Sequence, residues 1–234
     1  MDNYPIEVTE KRTVNRITLK QSITDFLDAF NVERGLIYTI HLLFAKPGKL
    51  IRFYLTDGRF KIVNAFRLLI ISTATSLVLL NITGSLSAIY TAGEGTDEKM
   101  QESLHIVGNF MTEWYNLVLW ASIPAFSIFT FLLFRKNEKM NYAEHLVIQS
   151  FYVSASNIVY IGFTPLGFLF GFKTSMFIST IATAVFYYYL YFDVFKTTAK
   201  SKFWVLVKAF FSFVLGFMIY MFILAVFFTL VLFN

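Results

Sequence analysis

Residues 203–233 read FWVLVKAFFSFVLGFMIYMFILAVFFTLVLF, an apolar run with a single charged residue, Lys208. About 20 apolar residues are enough for a helix to cross a hydrocarbon core of about 30 Å. A helix satisfies its backbone hydrogen bonds within its own segment, which hydrocarbon requires because it contains no water. This run therefore predicts a transmembrane helix, and with it a membrane protein.

Four further apolar runs precede this one. The predicted spans cover residues 62–90, 114–134, 146–172, 174–195 and 203–233. The chain is 56% apolar and 19% aromatic, so a separate soluble domain has little room after residue 60. We therefore predict an all-α membrane protein whose five transmembrane helices make up one domain, residues 61–234.

The cations of the chain are distributed unevenly about these spans. Eighteen of the 20 Lys and Arg residues fall on one side, and Lys99 and Lys173 fall on the other. Because cytoplasmic loops carry the excess of Lys and Arg, the N-terminus is predicted to be cytoplasmic and the C-terminus to lie outside. We expect no cleavable signal peptide. The cations lie beside apolar spans, which favours anionic lipid headgroups over nucleic acid as their partner.

The residues in front of the first span divide into two parts. Residues 1–15 are polar and are predicted to be flexible, whereas residues 16–60 are predicted to form amphipathic or interfacial helices on the cytoplasmic side of the bilayer. Within them, residues 36–45 are apolar but too few to span, which fits an interfacial or a re-entrant helix. Pro47 and Gly48 then start another helix. Its apolar face is predicted to carry Leu50, Ile51, Tyr54 and Leu55.

Charged residues around this segment suggest two roles. A guanidinium offers a bidentate fork to a phosphate headgroup, and each cation near an anionic surface gains about 1 kcal/mol. Alternatively, an ion pair between Glu33 and an arginine fixes the interfacial helices to one another. The candidates for these roles are Glu33, Arg34, Lys49, Arg52, Arg59, Lys61 and Arg67.

Glu144 and His145 are the candidate catalytic pair, because a carboxylate stands beside the side chain that titrates near neutral pH. A structural interpretation competes with this one. Asn141 followed by Glu144 before an apolar run is a capping-box signature at a helix N-terminus. Neighbouring helical residues also point about 100° apart, which works against convergence of the two side chains on one substrate.

Other polar and small residues within the spans have structural and functional interpretations. Asn81, Asn116, Asn157 and Asp193 either line a transport path or form interhelical hydrogen bonds. Pro124 predicts a kink, and Gly167 with Gly171 forms a GxxxG pair that permits close helix approach. The tyrosines near the end of the fourth span are predicted to anchor at the interface; they are Tyr187, Tyr188, Tyr189 and Tyr191.

Metal and other cofactor sites are not predicted. The chain has no cysteine, and its three histidines lie far apart without ligand spacing. The absence of cysteine also excludes disulfide frameworks and thiol nucleophiles.

Several short motifs follow one another in the order typical of one family. Residues 30–35 read FNVERG, and Pro47, Gly48 and Lys49 follow as PGK. The order resembles that of the bacterial inner-membrane family called domain of unknown function 3667, over roughly residues 17–151. Further matching positions are Arg52, Tyr54, Gly58, Arg59, Pro124, Arg135, Lys136, Tyr142, Glu144, His145 and Leu146.

The resemblance implies a bacterial inner-membrane location and no known activity. Members of that family often begin with a paired-cysteine segment, which this chain lacks, so no metal role is carried over from them. The order of a cytoplasmic segment and five spans is also similar, at the level of architecture, to the Yip1-type membrane proteins.

Three functional hypotheses follow from the sequence. The first is a non-enzymatic membrane component that binds a protein partner, forms a homo-oligomer or organises lipid. The second is an enzyme or carrier for a phospholipid-like amphiphile at the cytoplasmic interface, with Arg52 and Arg59 on the phosphate and Glu144 or His145 moving protons. The third is a small transporter.

Overall fold

The described part of the chain is entirely helical. A computed structural model describes residues 35–56, 62–83, 98–138, 140–199 and 201–232, and these ranges contain seven α-helices and no strand. The helices are α1 Leu36–Ala45, α2 Pro47–Leu55, α3 Ala65–Ile82, α4 Glu98–Glu138, α5 Tyr142–Phe170, α6 Phe172–Phe195 and α7 Lys202–Leu232. The predicted all-α class is confirmed.

Helices α3 to α7 are each long and apolar enough to cross a membrane, as the five-span prediction requires. The first of them is shorter than the predicted span of residues 62–90. It begins at Ala65 because the side chain of Asn64 caps it, accepting hydrogen bonds from the backbone N–H groups of Phe66 and Arg67. Residues 84–90 of that predicted span lie outside the described residues.

Helix α5 occupies the centre of the bundle. It packs against α4 and α6, and α7 closes the ring by packing against both of those helices. Helix α3 packs on the remaining side of α5. Helices α3, α5 and α7 begin, and α4 and α6 end, at one end of the bundle, which we call the basal end. Short helices α1 and α2 pack together there, and they contact α5 and α6.

A single residue, Gly171, connects α5 to α6. Its φ of 85° lies in the left-handed region that favours glycine, and it is the C-terminal cap of α5 and the N-terminal cap of α6. The Ser175 hydroxyl donates to the Phe163 carbonyl across this turn, at 2.7 Å. A Cβ at Gly167 would overlap the ring of Phe172 in the same turn. The predicted GxxxG pair therefore forms a tight hairpin, and the close approach it permits is within that hairpin.

Helix α4 bends at Trp114, where φ is −109° and ψ is 17°. The sequence placed the kink at Pro124, but the non-helical backbone lies at Trp114 instead. Pro124 has no backbone N–H for the Trp120 carbonyl four residues before it. The Ser122 hydroxyl donates to the neighbouring Leu119 carbonyl at 2.6 Å. The kink at Trp114 coincides with the start of the predicted second span.

Three spans meet at a buried polar cluster around Asn157 of α5. Its side-chain amide donates to the hydroxyl of Thr73 at 2.9 Å and to that of Ser72 at 3.4 Å, both on α3. The indole N–H of Trp120 on α4 donates to the same Thr73 hydroxyl at 3.3 Å. The sequence allows Asn157 either to line a transport path or to form an interhelical hydrogen bond. The observed geometry is that of an interhelical hydrogen bond.

We expect Asn157→Leu to lower the free energy of unfolding by about 1 kcal/mol, because the hydroxyls of α3 lose their donor within an apolar bundle. Thermal unfolding of the purified protein measures the change. Asn81→Leu is the matched control, since Asn81 is exposed and donates to the Leu77 carbonyl of its own helix. Equal stability of the two variants would mean that the cluster around Asn157 contributes nothing to helix association.

Candidate functional site

The basal end brings together most of the described residues that the sequence singled out. Helix α2 lies against the C-terminal end of α6, and their contact is polar. The backbone N–H of Gly48 donates to the carboxylate of Asp193 at 2.7 Å. Gly48 stands in the first turn of α2, where unpaired backbone N–H groups favour a negative charge. Asp193 therefore caps the start of α2 from a helix far away in the sequence.

Arg52 completes this contact from the other side. Its guanidinium donates to the backbone carbonyls of Asp193 and Val194, at the end of α6, and to the hydroxyl of Thr197 at 2.8 Å. The last carbonyls of a helix have no partner within the helix and carry partial negative charge, so a cation there stabilises the helix end. Arg52, a candidate for phosphate binding, is thus engaged in helix docking.

The acid at the centre of this contact is also paired. Asp193 forms an ion pair with Lys196 at 2.5 Å, and its side chain is 13% exposed whereas that of Lys196 is 40% exposed. We name the contact of Gly48, Arg52, Asp193, Lys196 and Thr197 the α2–α6 clamp. The sequence allows Asp193 either to line a transport path or to form an interhelical hydrogen bond, and the hydrogen bond to Gly48 places it in this clamp.

Further contacts hold α1 in place. The Thr39 hydroxyl, which is fully buried, accepts a hydrogen bond from the backbone N–H of Val63 at 3.0 Å and donates to the Gly35 carbonyl. The Tyr189 hydroxyl donates to the Ala45 carbonyl, which ends α1, at 2.8 Å. The apolar face predicted for α2 is largely buried too, with Leu50, Ile51 and Tyr54 fully inside the protein. That face packs against protein rather than against lipid.

Gly48→Ala is expected to release α2 from α6. A Cβ at position 48 would overlap the Asp193 carbonyl and stand 2.8 Å from its carboxylate, and the backbone there leaves no room to adjust. Hydrogen exchange of residues 36–55 should rise in this variant while the exchange of α5 stays unchanged. Gly162→Ala is the control, because nothing lies within 4 Å of a Cβ there. Unaltered exchange in Gly48→Ala would show that α2 does not dock on α6 as described.

Glu144 acts as a helix cap. Its backbone N–H donates to the Asn141 side chain at 2.9 Å, and its carboxylate accepts from the Asn141 backbone N–H at 2.6 Å. The capping box expected from the sequence is thus present at the start of α5. The carboxylate that was a catalytic candidate already has a structural partner.

His145 lies inside the protein, fully buried, beside Glu144 in the chain. Its Nδ1 is 3.2 Å from the Thr130 hydroxyl of α4, and its ring lies between Phe131 and Phe195. The Ser127 hydroxyl donates to the His145 backbone carbonyl at 3.3 Å. These contacts join α4, α5 and α6, and they enclose the imidazole among aromatic rings rather than opening it to a substrate.

A buried polar network continues one turn along α5. Gln149 is fully buried and accepts a hydrogen bond from the Tyr191 hydroxyl of α6 at 3.0 Å. The Tyr187 hydroxyl is 2.8 Å from the Ser212 hydroxyl of α7. Tyr187 and Tyr191 are fully buried in the protein, so the prediction that their rings anchor the protein in the headgroup layer is wrong. The run of tyrosines in the sequence indicated an interface. Among these tyrosines only Tyr189 has a large part of its side chain at the surface, with 39% exposure.

The remaining candidates are distributed between described and undescribed parts of the chain. Lys49 is exposed on α2, and Arg67 is partly buried in the first turn of α3. The predicted charged residues Glu33, Arg34, Arg59 and Lys61 lie outside the described residues. Among the described residues, no group of His, Asp and Glu is arranged to hold a metal ion.

An apolar groove lies between α4 and α7, toward the end opposite the basal end. Its volume is about 440 Å³, and every lining residue is apolar: Phe110, Trp114, Leu117, Val118, Ala121, Ile223, Leu224 and Phe227. The bend at Trp114 is part of its wall. Neither the groove nor the clamp was foreseen from the sequence, because the pairing of α4 with α7 and of α2 with α6 is a long-range property.

Fold and site together define a multi-pass α-helical protein with five helices able to span a membrane and a docked pair of short helices at one end. No family model, curated protein or solved structure matches the chain. The resemblance to the family of domain of unknown function 3667 therefore stays a prediction.

The capping role of Glu144 can be tested by mutation. Glu144→Gln keeps an acceptor at the third helical position, so we expect stability close to that of the natural protein, whereas Glu144→Ala should cost about 1 kcal/mol. Thermal unfolding of both variants, at a pH where the carboxylate is charged, tests this. A large loss of stability in Glu144→Gln would mean that the charge itself, and not the cap, is needed.

Proposed function

We propose that this chain is a non-enzymatic component of a bacterial inner membrane that organises lipid around its α4 and α7 helices. The observation that carries the proposal is the apolar groove between these helices. Where helices cross a membrane, the molecules that surround such a surface are the acyl chains of lipids. A lining without a polar side chain offers them dispersion contacts and gives a polar ligand nothing to bind.

The outer face of α7 supports the same occupant. Only 11% of the residues in its most apolar stretch are buried, against 33% to 39% in the other four spans. Its exposed side chains are mostly bulky, including Phe210, Leu215, Phe217, Met218 and Phe222. Tight helix association in membranes uses small residues that let backbones approach, and Gly216 of α7 is already packed against Phe126 of α4. The face thus favours mobile acyl chains over a partner helix.

The proposed orientation has a cytoplasmic basal end. The cations at or near that end include Arg52, Arg67, Arg135, Lys196 and Lys202, whereas Lys99 and Lys173 stand in the first turns of α4 and α6 at the other end. Such a bias favours the basal end as the cytoplasmic one. Anionic headgroups of the inner leaflet are the proposed partners of Lys49 and Arg67, which the α2–α6 clamp does not engage.

The proposal gives the candidate catalytic residues structural roles. Glu144 caps α5, His145 is enclosed by aromatic rings, and Arg52 binds carbonyls at the end of α6. An enzyme acting on a phospholipid at the basal end needs these three groups to be open to a headgroup. Their contacts therefore favour a component that holds lipid over one that transforms it.

Filling the groove should reduce lipid retention. In Ala121→Phe the added ring occupies space that an acyl chain would take, so we expect fewer lipids to remain bound after gentle extraction, as counted by native mass spectrometry. The control is Ala225→Phe, which places the same ring on an exposed position of α7 outside the groove lining.

Three outcomes of this experiment are informative. Lipid loss confined to Ala121→Phe supports the proposal. Equal lipid retention in both variants and the natural protein contradicts it. A stoichiometric protein companion, or a fixed homo-oligomer lost in either variant, would instead make this surface a protein interface.

A further inference from the structure

Arg67 keeps two polar side-chain atoms without a partner in the part of the chain that the structure describes. Its Nε and Nη2 are shielded from water, and no hydrogen-bond acceptor reaches either of them from the described residues. A shielded cation without an acceptor is costly, because desolvation removes water and nothing replaces it. The Nε–Nη2 edge of the guanidinium therefore has no anion among the described residues.

The position of Arg67 on α3 indicates where that anion comes from. The face of α3 that packs into the bundle carries Ala65, Leu68, Leu69, Ser72, Thr73 and Ser76, which are all buried. Ala74 and Val78 follow Arg67 by about two and three turns, so they share its side of the helix, and both are exposed. Arg67 thus stands on the outward, lipid-facing side of α3, in the turn nearest the basal end.

The chemistry of the unpartnered atoms narrows the choice of anion. Nε and Nη2 form one edge of the guanidinium, and their two N–H groups point the same way, at the spacing of two oxygens of a phosphate or carboxylate. The first backbone N–H groups of α3 are already capped by Asn64, so the helix end itself does not hold the ligand. At this level of a membrane the abundant group with two such oxygens is the phosphate of a phospholipid.

We infer that the Nε–Nη2 edge of Arg67 binds the phosphate of a phospholipid in the leaflet at the basal end. The inference deepens the proposed function, on which it rests, by giving the organised lipid a headgroup contact, separate from the acyl groove between α4 and α7. Arg67 is partly exposed as a residue, whereas its Nε and Nη2 are shielded, so the side chain has to turn outward from α3 before these two atoms meet a headgroup.

The test compares Arg67→Gln with Arg135→Gln by native mass spectrometry of protein in detergent with added phosphatidylglycerol. Arg135 is the matched control, since it is an exposed arginine at the basal end of α4. We expect phosphatidylglycerol to bind about tenfold more weakly to Arg67→Gln, because two charge-assisted hydrogen bonds are lost, and to bind Arg135→Gln as it binds the natural protein. Diacylglycerol, which has no phosphate, should bind all three proteins alike.

Arg67→Lys separates the bidentate edge from charge alone. It keeps the cation but offers a point charge in place of the fork, so an intermediate affinity for phosphatidylglycerol is expected. If Arg67→Gln does not fold, the comparison of Arg67→Lys with the natural protein still tests the inference. Adding inorganic phosphate identifies the source of the anion: a phospholipid site keeps its lipid, whereas displacement of the lipid would overturn the assignment to a headgroup.

Two results would overturn the inference. One is the same phosphatidylglycerol affinity in Arg67→Gln and Arg135→Gln. The other is a parallel loss of diacylglycerol, which would place the effect in acyl binding. The groove variant Ala121→Phe remains an independent test, so failure at Arg67 leaves the acyl-chain proposal standing, and failure at Ala121 leaves the headgroup contact standing.

Discussion

A polar side chain within this bundle is stabilised by a hydrogen-bond partner in the protein, because hydrocarbon supplies none. That constraint explains why α5 is the central helix. It carries the buried polar side chains Glu144, Gln149, Ser154 and Asn157 on different sides, and two of them pair with neighbouring helices. Tyr191 of α6 meets Gln149, and Thr73 of α3 meets Asn157. The apolar residues fill the space between these contacts, while the polar pairs determine which helix lies where.

The same constraint organises the basal end. A helix that stops near the membrane surface leaves carbonyls unpaired, and one that starts there leaves N–H groups unpaired. The α2–α6 clamp provides partners for both kinds of group. Arg52 donates to carbonyls at the end of α6, and Asp193 accepts from a backbone N–H at the start of α2. A short helix of nine residues is marginal by itself, so α2 owes its stability to this docking and to its buried apolar face.

Sequence reasoning succeeded where the signal is local. Hydropathy alone located the five spans, and the Asn141 and Glu144 spacing predicted the capping box that the structure contains. The starts of α1 and α2 were also evident, from the apolar stretch that begins at residue 36 and from Pro47. Sequence reasoning failed where the surroundings of a side chain depend on a helix that is distant in the chain. Nothing near Tyr191 in the chain shows that Gln149 faces it, and nothing near Asp193 shows that Gly48 does. The tyrosines were therefore placed at an interface, and Asp193 was left between a transport path and an interhelical hydrogen bond.

The single-residue connection at Gly171 also bears on how the chain enters a membrane. Since α5 and α6 share that glycine as a cap, there is no loop between them to be carried across the bilayer. Beyond the turn itself, only the ammonium group of Lys173 has to be moved to the far side when this pair inserts. The two helices are therefore suited to entering together as a preformed antiparallel hairpin. In that hairpin the Gln149 and Tyr191 pair would form before α4 and α7 are in place, which hides two polar groups from lipid early in assembly.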